Sequence, residues 1–521
     1  MSLCPCAADM PQSRRRPRQS PLVIARRPPN GLLIRWKGRS RPATNDKSTV
    51  TTSYSSPFSW RYGRPAMRSL FSEETKRRMW RRMWLALAQA QGRAGLVSDE
   101  EIADLRRFVD AVDLAAAHEI EKDIHHDLMA ELRVYASQAK LGGGKLHLGA
   151  TSMDIEDNVE TARMKVALSM LDESLRSLLD AFAGQIEKYA DLPCMAYTHL
   201  QAAEPTTVGY RMSLWAHDFY LDYENLKCLA AWLPSKGLRG AVGTSASYAA
   251  LLDGTGVSTD QVEREVLSSF GLTAAMITGQ TYSRRLDYIV VSAVAALAAT
   301  ASKFAFDIRI LASSGFGELG EPFGEKQVGS SAMPFKRNPI MSERICSLAR
   351  LVSANAGVMW QNAADNLLER TLDDSANRRS VIAETFLAAD ELIALAHRIV
   401  SGLRVDKQRI EGNLRRFGPF AATEAVLMAA ARRGADRQAL HERLREVSMR
   451  AWEALETDEK NPLPDLIAAD PAFAEYIEPA ELRALMDPKA HTGLAAERAK
   501  LFAAKVRALE TPAPLTLESI L

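Results

Sequence analysis

From about Ser69 onward the apolar positions recur at spacings of three and four, the period of amphipathic helices rather than of strands. Met79, Trp80, Met83, Trp84 and Leu87 mark one helix face, with the Trp residues read as core, and Ser98-Asp99-Glu100-Glu101 reads as a helix start. The longest runs predict helices over about 156–190, 207–233, 283–314 and 343–361. Between Val290 and Ala301 small and apolar side chains go all round the helix, so it is expected to be buried on every side. Several such helices imply a bundle whose core continues across subunits. From about Val405 shorter amphipathic helices return, broken by Gly418-Pro419, Pro462, Pro464 and Pro471. There is no internal repeat, no coiled-coil seam and no alternating strand pattern of consequence. The pattern predicts an all-α fold.

Composition narrows this picture. A chain of 521 residues exceeds one ordinary core and predicts two to four domains. The longest uncharged run in the middle of the chain, Tyr288 to Ser302, is too short to span a bilayer, so no membrane partner is expected. The five cysteines (Cys4, Cys6, Cys194, Cys228 and Cys346) are scattered, which argues against a disulfide framework and fits a reducing, cytoplasmic compartment. Net charge is +2, but residues 1–50 hold eleven Lys and Arg against Asp9 and Asp46. The remainder therefore carries 55 basic and 62 acidic residues, a net of −7, which does not suggest nucleic-acid binding. The Arg- and Pro-rich start reads as a disordered basic extension over residues 1–53. A transit peptide and a misassigned start are the alternatives. Pro17, Pro21, Pro28 and Pro29 would interrupt the amphipathic helix of a transit peptide.

Four stretches carry chemistry. Gly329-Ser330-Ser331-Ala332-Met333-Pro334-Phe335-Lys336-Arg337-Asn338-Pro339 puts hydroxyls, a cation and an amide in one bendable loop. Those types suit removal of a weakly acidic C–H proton while Lys336 and Asn338 hold the charge that appears on a neighbouring carboxylate. In Tyr197-Thr198-His199-Leu200-Gln201, a His that titrates near neutrality is flanked by Thr198 and Gln201, near enough to orient it and let it hand a proton to a leaving nitrogen. In Gly149-Ala150-Thr151-Ser152-Met153-Asp154, the two hydroxyls can donate to a carboxylate or cap a helix; both readings hold at once, since a helix N-terminus attracts anions. His125-His126-Asp127, read as part of a helical stretch, is a poor metal pair, because adjacent helical residues point apart and no third ligand is evident. Gly240 to Ser247 is glycine-rich but is neither a P-loop nor a dinucleotide fingerprint, and Ser245 is given no role.

Taken together, these stretches closely resemble the signature segments of the fumarase/aspartase superfamily. With Met341-Ser342-Glu343-Arg344 following the loop, the resemblance is to its adenylosuccinate lyase family, in the animal-like subgroup, and runs from about Tyr54 to the C-terminus. It implies three helical domains (54–151, 152–404 and 405–521), with a central long-helix bundle that assembles into a homotetramer whose active sites are shared between subunits. It implies elimination of fumarate from adenylosuccinate and from succinylaminoimidazole carboxamide ribotide, with no metal or organic cofactor. By family register Ser330 is the base, with Ser331 as rival, and His199 the general acid; Lys336 and Asn338 stabilise the intermediate. Arg61-Tyr62 matches the pair that grips the nucleotide phosphate. Arg370, Ser375 and Arg379 match the rest of that pocket, and three Arg with hydroxyls suit a phosphate dianion. His126, Asp127, Thr151, Ser152, Gln280 and Arg344 fall on positions that contact substrate. His125 stands where animal-type relatives often have Arg. A sister lyase such as one acting on argininosuccinate, or a catalytically idle structural homologue, are the competing readings. The phosphate-pocket arginines argue against the first, and intact Ser330, Lys336 and His199 against the second.

Deletion of residues 1–50 is expected to change neither fold nor turnover, since that stretch lacks apolar periodicity and family resemblance. Assembly by gel filtration and activity of the truncated chain check this.

Overall fold

The structure is a computed structural model that describes residues 54–324, 331–333, 335–455, 460–510 and 515–521. The 1–53 extension and Ser330 lie outside the described residues. Residues 56–521 form one unit.

Five long helices form its central bundle: α3 (Ser152–Tyr189), α4 (Val208–Trp232), α5 (Arg285–Leu311), α6 (Ile340–Ala364) and α7 (Ser375–Ser401). Helix α5 packs along α6 and also meets α4 and α7; α3 runs along α4 and α7. Before them come α1 (Glu73–Gly92) and α2 (Asp127–Gln138). Ser72 caps α1 by accepting from the Thr75 N–H, and Met79, Trp80, Met83, Trp84 and Leu87 are all buried along its length. Ser98 and Glu101 form the expected reciprocal cap of the 99–108 helix. After α7, α8 (Lys407–Ala421) leads into short helices that close a second hydrophobic cluster around Val426, Leu444, Ile467 and Phe473. Helix α9 (Ala495–Arg507) returns to pack on α3 and α4.

The all-α architecture expected from the pattern is therefore present, with local differences. An antiparallel hairpin, β1 (Pro193–Thr198) with β2 (Gln201–Thr207), interrupts the helices, and β3 (Leu319–Gly320) pairs with β4 (Arg404–Val405). Pro193 and Pro205 sit in the hairpin strands, and a bulge lies between Met195 and Tyr197, so no clean alternation marks it in the sequence. Helix α7 was not among the predicted runs. His125 and His126 are not helical: His125 adopts a left-handed conformation (φ 53°) ending the 114–124 helix, and His126 caps α2.

Helix α5 also corrects two expectations. The uncharged run within it is short, yet the whole 27-residue helix is long and apolar enough to cross a membrane by length and composition alone. In this fold its buried face, including Val290, Val294, Leu297 and Ala301, packs in the bundle. Ala296 and Ala299 are exposed, so the single chain does not bury the helix on every side as the pattern predicted. Phe306 on α5, Leu221 and Trp232 on α4, and Trp360 on α6 are likewise more than half exposed.

Candidate active site

The first cluster of predicted site residues gathers at the start of α7. Ser375 opens that helix at the positive end of its dipole, and Arg379 follows one turn later. Arg379 Nη1 donates to Asp127 Oδ2 at 2.7 Å. Burial pushes the Asp127 carboxyl up, but its hydrogen bond and ion pair with Arg379 more than reverse this and hold it below its ordinary value. His126 Nδ1 accepts the Met129 N–H at 3.4 Å as the α2 cap, and Nε2 hydrogen-bonds with Ser152 Oγ, 3.3 Å away. Thr151 is the N-cap of α3, and its N–H donates to Asp154 Oδ2 at 2.9 Å. The buried Asp154 carboxylate also accepts from Lys236 Nζ and from the Arg239 and Gly240 N–H groups, so one acid fixes both the Thr151-Ser152 turn and the glycine-rich loop.

Buried ion pairs hold this cluster together. Arg284, with its side chain fully enclosed, donates from Nη1 to Asp157 Oδ1 on α3 at 3.0 Å and from Nε to Asp374 Oδ2, just before α7, at 2.5 Å. Asp374 Oδ1 accepts from Arg370 Nη1 at 2.8 Å. Burial raises the Asp374 carboxyl, and the Arg284, Arg378 and Arg370 charges outweigh it, leaving it below its ordinary value. Arg378 turns inward to Asp287 (2.7 Å) and the Tyr282 hydroxyl (2.7 Å). Gln280 is brought to the cluster by its backbone N–H, which donates to the Glu369 carbonyl at 3.1 Å. That approach requires Gly279, where a Cβ would stand 2.8 Å from the same carbonyl oxygen.

The second cluster lies farther along α7. Glu391 Oε2 accepts the Gly63 N–H at 3.3 Å, next to Arg61 and Tyr62, and Glu391 Oε1 is 3.8 Å from Arg344 Nη1. Glu391 is twelve residues beyond Arg379, which at helical rise is about 18 Å. The Arg61 guanidinium stands 5.7 Å from the ring centroids of both Trp60 and Tyr62. Lys336 is exposed and Asn338 half-buried just ahead of α6. Glu321 holds the start of that helix, accepting the Met341 and Ser342 N–H groups at 3.1 and 2.5 Å.

His199 stands apart from the α7 start. Thr198 and Gln201 pair as the last rung of the hairpin, so His199 and Leu200 form its two-residue turn, both left-handed (φ 55° and 62°) and exposed. Among the described residues the His199 ring makes no hydrogen bond to Thr198 or Gln201; their backbones, not their side chains, set its place. The hairpin is anchored below by the buried Glu318, which accepts from Tyr197 Oη (2.8 Å), Arg211 Nη1 (2.7 Å) and Asn413 Nδ2 (2.9 Å).

Sequence reasoning passed over Arg284, Asp157, Asp374, Glu318 and Glu321. The pairing of Arg284 with Asp374 spans ninety residues and leaves no local signal. Among the described residues no group of three or more His, Cys, Asp or Glu is placed to hold a metal ion.

A helical bundle with these segments defines a lyase of the fumarate-eliminating class. The family model described as Lyase matches residues 61–353, and that for the adenylosuccinate lyase C-terminus matches 419–502. A fumarate lyase from Mesorhizobium sp. BNC1 superposes with a TM-score of 0.74 at 25% identity, covering 87% of this chain and 99% of that one. The 3-carboxy-cis,cis-muconate lactonizing enzyme of Pseudomonas putida does so with 0.75 at 25% identity, covering 86% and 98%. Adenylosuccinate lyases of Schistosoma mansoni (38% identical, 86% of this chain and 94% of that one) and Schizosaccharomyces pombe (36%, 87% and 94%) align over nearly their whole length. That of Archaeoglobus fulgidus is 33% identical, with 85% and 96% covered. The chain belongs to the adenylosuccinate lyase family.

Arg284→Met is expected to destabilise the fold by about 3–5 kcal/mol, because it leaves Asp157 and Asp374 buried without their shared cation. Urea denaturation of the variant beside the wild type measures this. Asp127 and Asp374 are both held below 3.8, so their contribution to stability is complete above that pH and is lost as pH falls through their lower folded values.

Proposed function

We propose that the chain eliminates fumarate from adenylosuccinate, giving AMP, and from succinylaminoimidazole carboxamide ribotide, giving its carboxamide product. The alignment with adenylosuccinate lyases over 94% of their length carries this reading. The arginine and serine cluster at the start of α7 supports it, because a phosphate dianion is stabilised by charge-assisted hydrogen bonds and by a helix N-terminus together. In the proposed reaction Ser330 Oγ, as the alkoxide, takes the proton α to a carboxylate. The electron pair moves onto that carboxylate, where Lys336 and Asn338 meet the extra charge. The pair then returns, the C–N bond breaks, and His199 gives its proton to the departing nitrogen. Arg61, Tyr62, Arg370, Ser375 and Arg379 are assigned to the phosphate, and His126, Asp127, Thr151, Ser152, Gln280 and Arg344 to the rest of the substrate.

The same reading makes the working form a homotetramer in which several chains build each site. Two observations support it. Glu391, the α7 residue that touches Gly63 beside Arg61 and faces Arg344, lies about 18 Å of helix beyond Arg379 in one chain, which favours Arg61 and Arg379 meeting one phosphate from different copies. The bundle also leaves Ala296 and Phe306 on α5, Leu221 on α4 and Trp360 on α6 uncovered, as a core shared with other copies would. The unpaired Cys194, Cys228 and Cys346 support a cytoplasmic location.

A spectrophotometric assay with adenylosuccinate beside argininosuccinate tests the reading: turnover of the first alone is expected, and turnover of the second alone overturns it. His199→Ala is expected to lose roughly a hundred- to ten-thousand-fold in turnover with the fold intact by circular dichroism. Ser330→Ala should lose turnover yet bind adenylosuccinate, Ser331→Ala should be milder, and Arg370→Ala should weaken binding itself. Single-turnover rates and substrate titrations separate these outcomes. A dead Ser331→Ala with an active Ser330→Ala would exchange the two serines.

A further inference from the structure

Glu156 has no place in the mechanism, yet it lies on α3 one turn after Ser152 and borders a cavity of about 70 Å³ at the start of α7, shared with Asp127, Ser375 and Arg379. The charged groups around that cavity come from every helix packed against it. Helix α1 contributes Lys76, the start of α2 Asp127, α3 itself Asp157 and Glu160, and α7 Arg378 and Arg379. The three cations are already engaged. Lys76 Nζ pairs with Glu73 (2.7 Å), Arg378 with Asp287 (2.7 Å) and Arg379 with Asp127 (2.7 Å). Of the four acids, Asp127 has Arg379, Asp157 has Arg284 (3.0 Å) and Glu160 has Arg163 (2.8 Å). Glu156 makes no hydrogen bond or ion pair among the described residues.

An unpaired, partly buried carboxyl among other acids holds its proton to higher pH than a free one. Burial first, then the Asp127 and Asp157 charges, push Glu156 up to about 8, against the pull of Arg379 and Lys76. Its state decides the charge of the cavity. With Glu156 neutral, three cations face three anions; with it ionised, the anions outnumber the cations beside the groups assigned to a phosphate dianion.

We propose that Glu156 is a further residue of the substrate pocket, a carboxylic acid that admits the ligand phosphate while protonated and repels it once ionised. The inference rests on the assignment of Ser375 and Arg379 to the phosphate. It makes binding, rather than chemistry, weaken on the alkaline side.

The test uses the full-length enzyme and AMP as a competitive inhibitor, since AMP carries the phosphate but has no proton to eliminate. Its phosphate is fully ionised well above about pH 6, so it does not titrate in the range used. Between pH 7 and 9.5 the wild-type Ki for AMP is expected to rise, approaching about tenfold per pH unit above the Glu156 ionisation. In Glu156→Gln it should change by less than about twofold. The neighbouring Glu160→Gln should keep the wild-type slope. A flat wild-type profile, or equal slopes in wild type and Glu156→Gln, overturns the proposal. If Glu156→Gln does not assemble, Glu156→Met carries the same comparison. Arg379→Ala tests the underlying assignment separately. Unchanged AMP binding there removes the phosphate pocket, whereas weakened binding with equal slopes removes only the role of Glu156.

Discussion

Arg284 is a cation fully enclosed in protein and shared by two carboxylates that the chain brings from far apart, Asp157 on α3 and Asp374 at the threshold of α7. A charge in that position is tolerable only while both acids stay within hydrogen-bond reach, because its desolvation costs several kcal/mol. The requirement works as a geometric constraint. It fixes where α7 begins relative to α3, and so places Ser375 and Arg379 against Ser152, His126 and Asp127. The Tyr282 N–H, which donates to Asp157 at 2.9 Å, ties the Gln280 segment to the same point. Apolar packing along α5, α6 and α7 sets which faces meet, but it tolerates sliding by a fraction of a turn; the paired charges do not.

A second pair of acids does related work at the other end of the site. Glu318 and Glu321 lie three residues apart on either side of the short strand β3. One holds the root of the His199 hairpin and the other the first turn of α6. A rigid tetrapeptide thereby couples the hairpin to the helix that follows the Ser331 to Asn338 segment.

What could be read in the sequence divides along the same line. The buried face of α1, the Ser98 cap and the spans of α3 to α6 follow from short-range periodicity and capping, which are local. The start of α7 was hidden because Glu369 to Arg379 is polar, with three Arg balanced by three acids, and its starting point is set by Arg284 ninety residues earlier. The hairpin was hidden for a related reason: its turn carries His-Leu where Asn-Gly would announce it. His125 was misjudged as helical because nothing nearby signals its left-handed backbone. Candidate site residues were recognisable one segment at a time, through their types and through family resemblance. Their separation into distant clusters within one chain was not, since that depends on how long helices place residues that sequence order keeps apart.

The His199-Leu200 turn has an evolutionary consequence. Two side-chain-bearing residues in the left-handed region each cost on the order of 1–2 kcal/mol relative to glycine or asparagine. Any lineage or library screened only for heat resistance is therefore drawn toward an Asn-Gly tip at this spot, and each step that way erases an imidazole from the end of the hairpin. On the proposal that His199 is the proton donor, robustness and chemistry thus pull this turn in opposite directions.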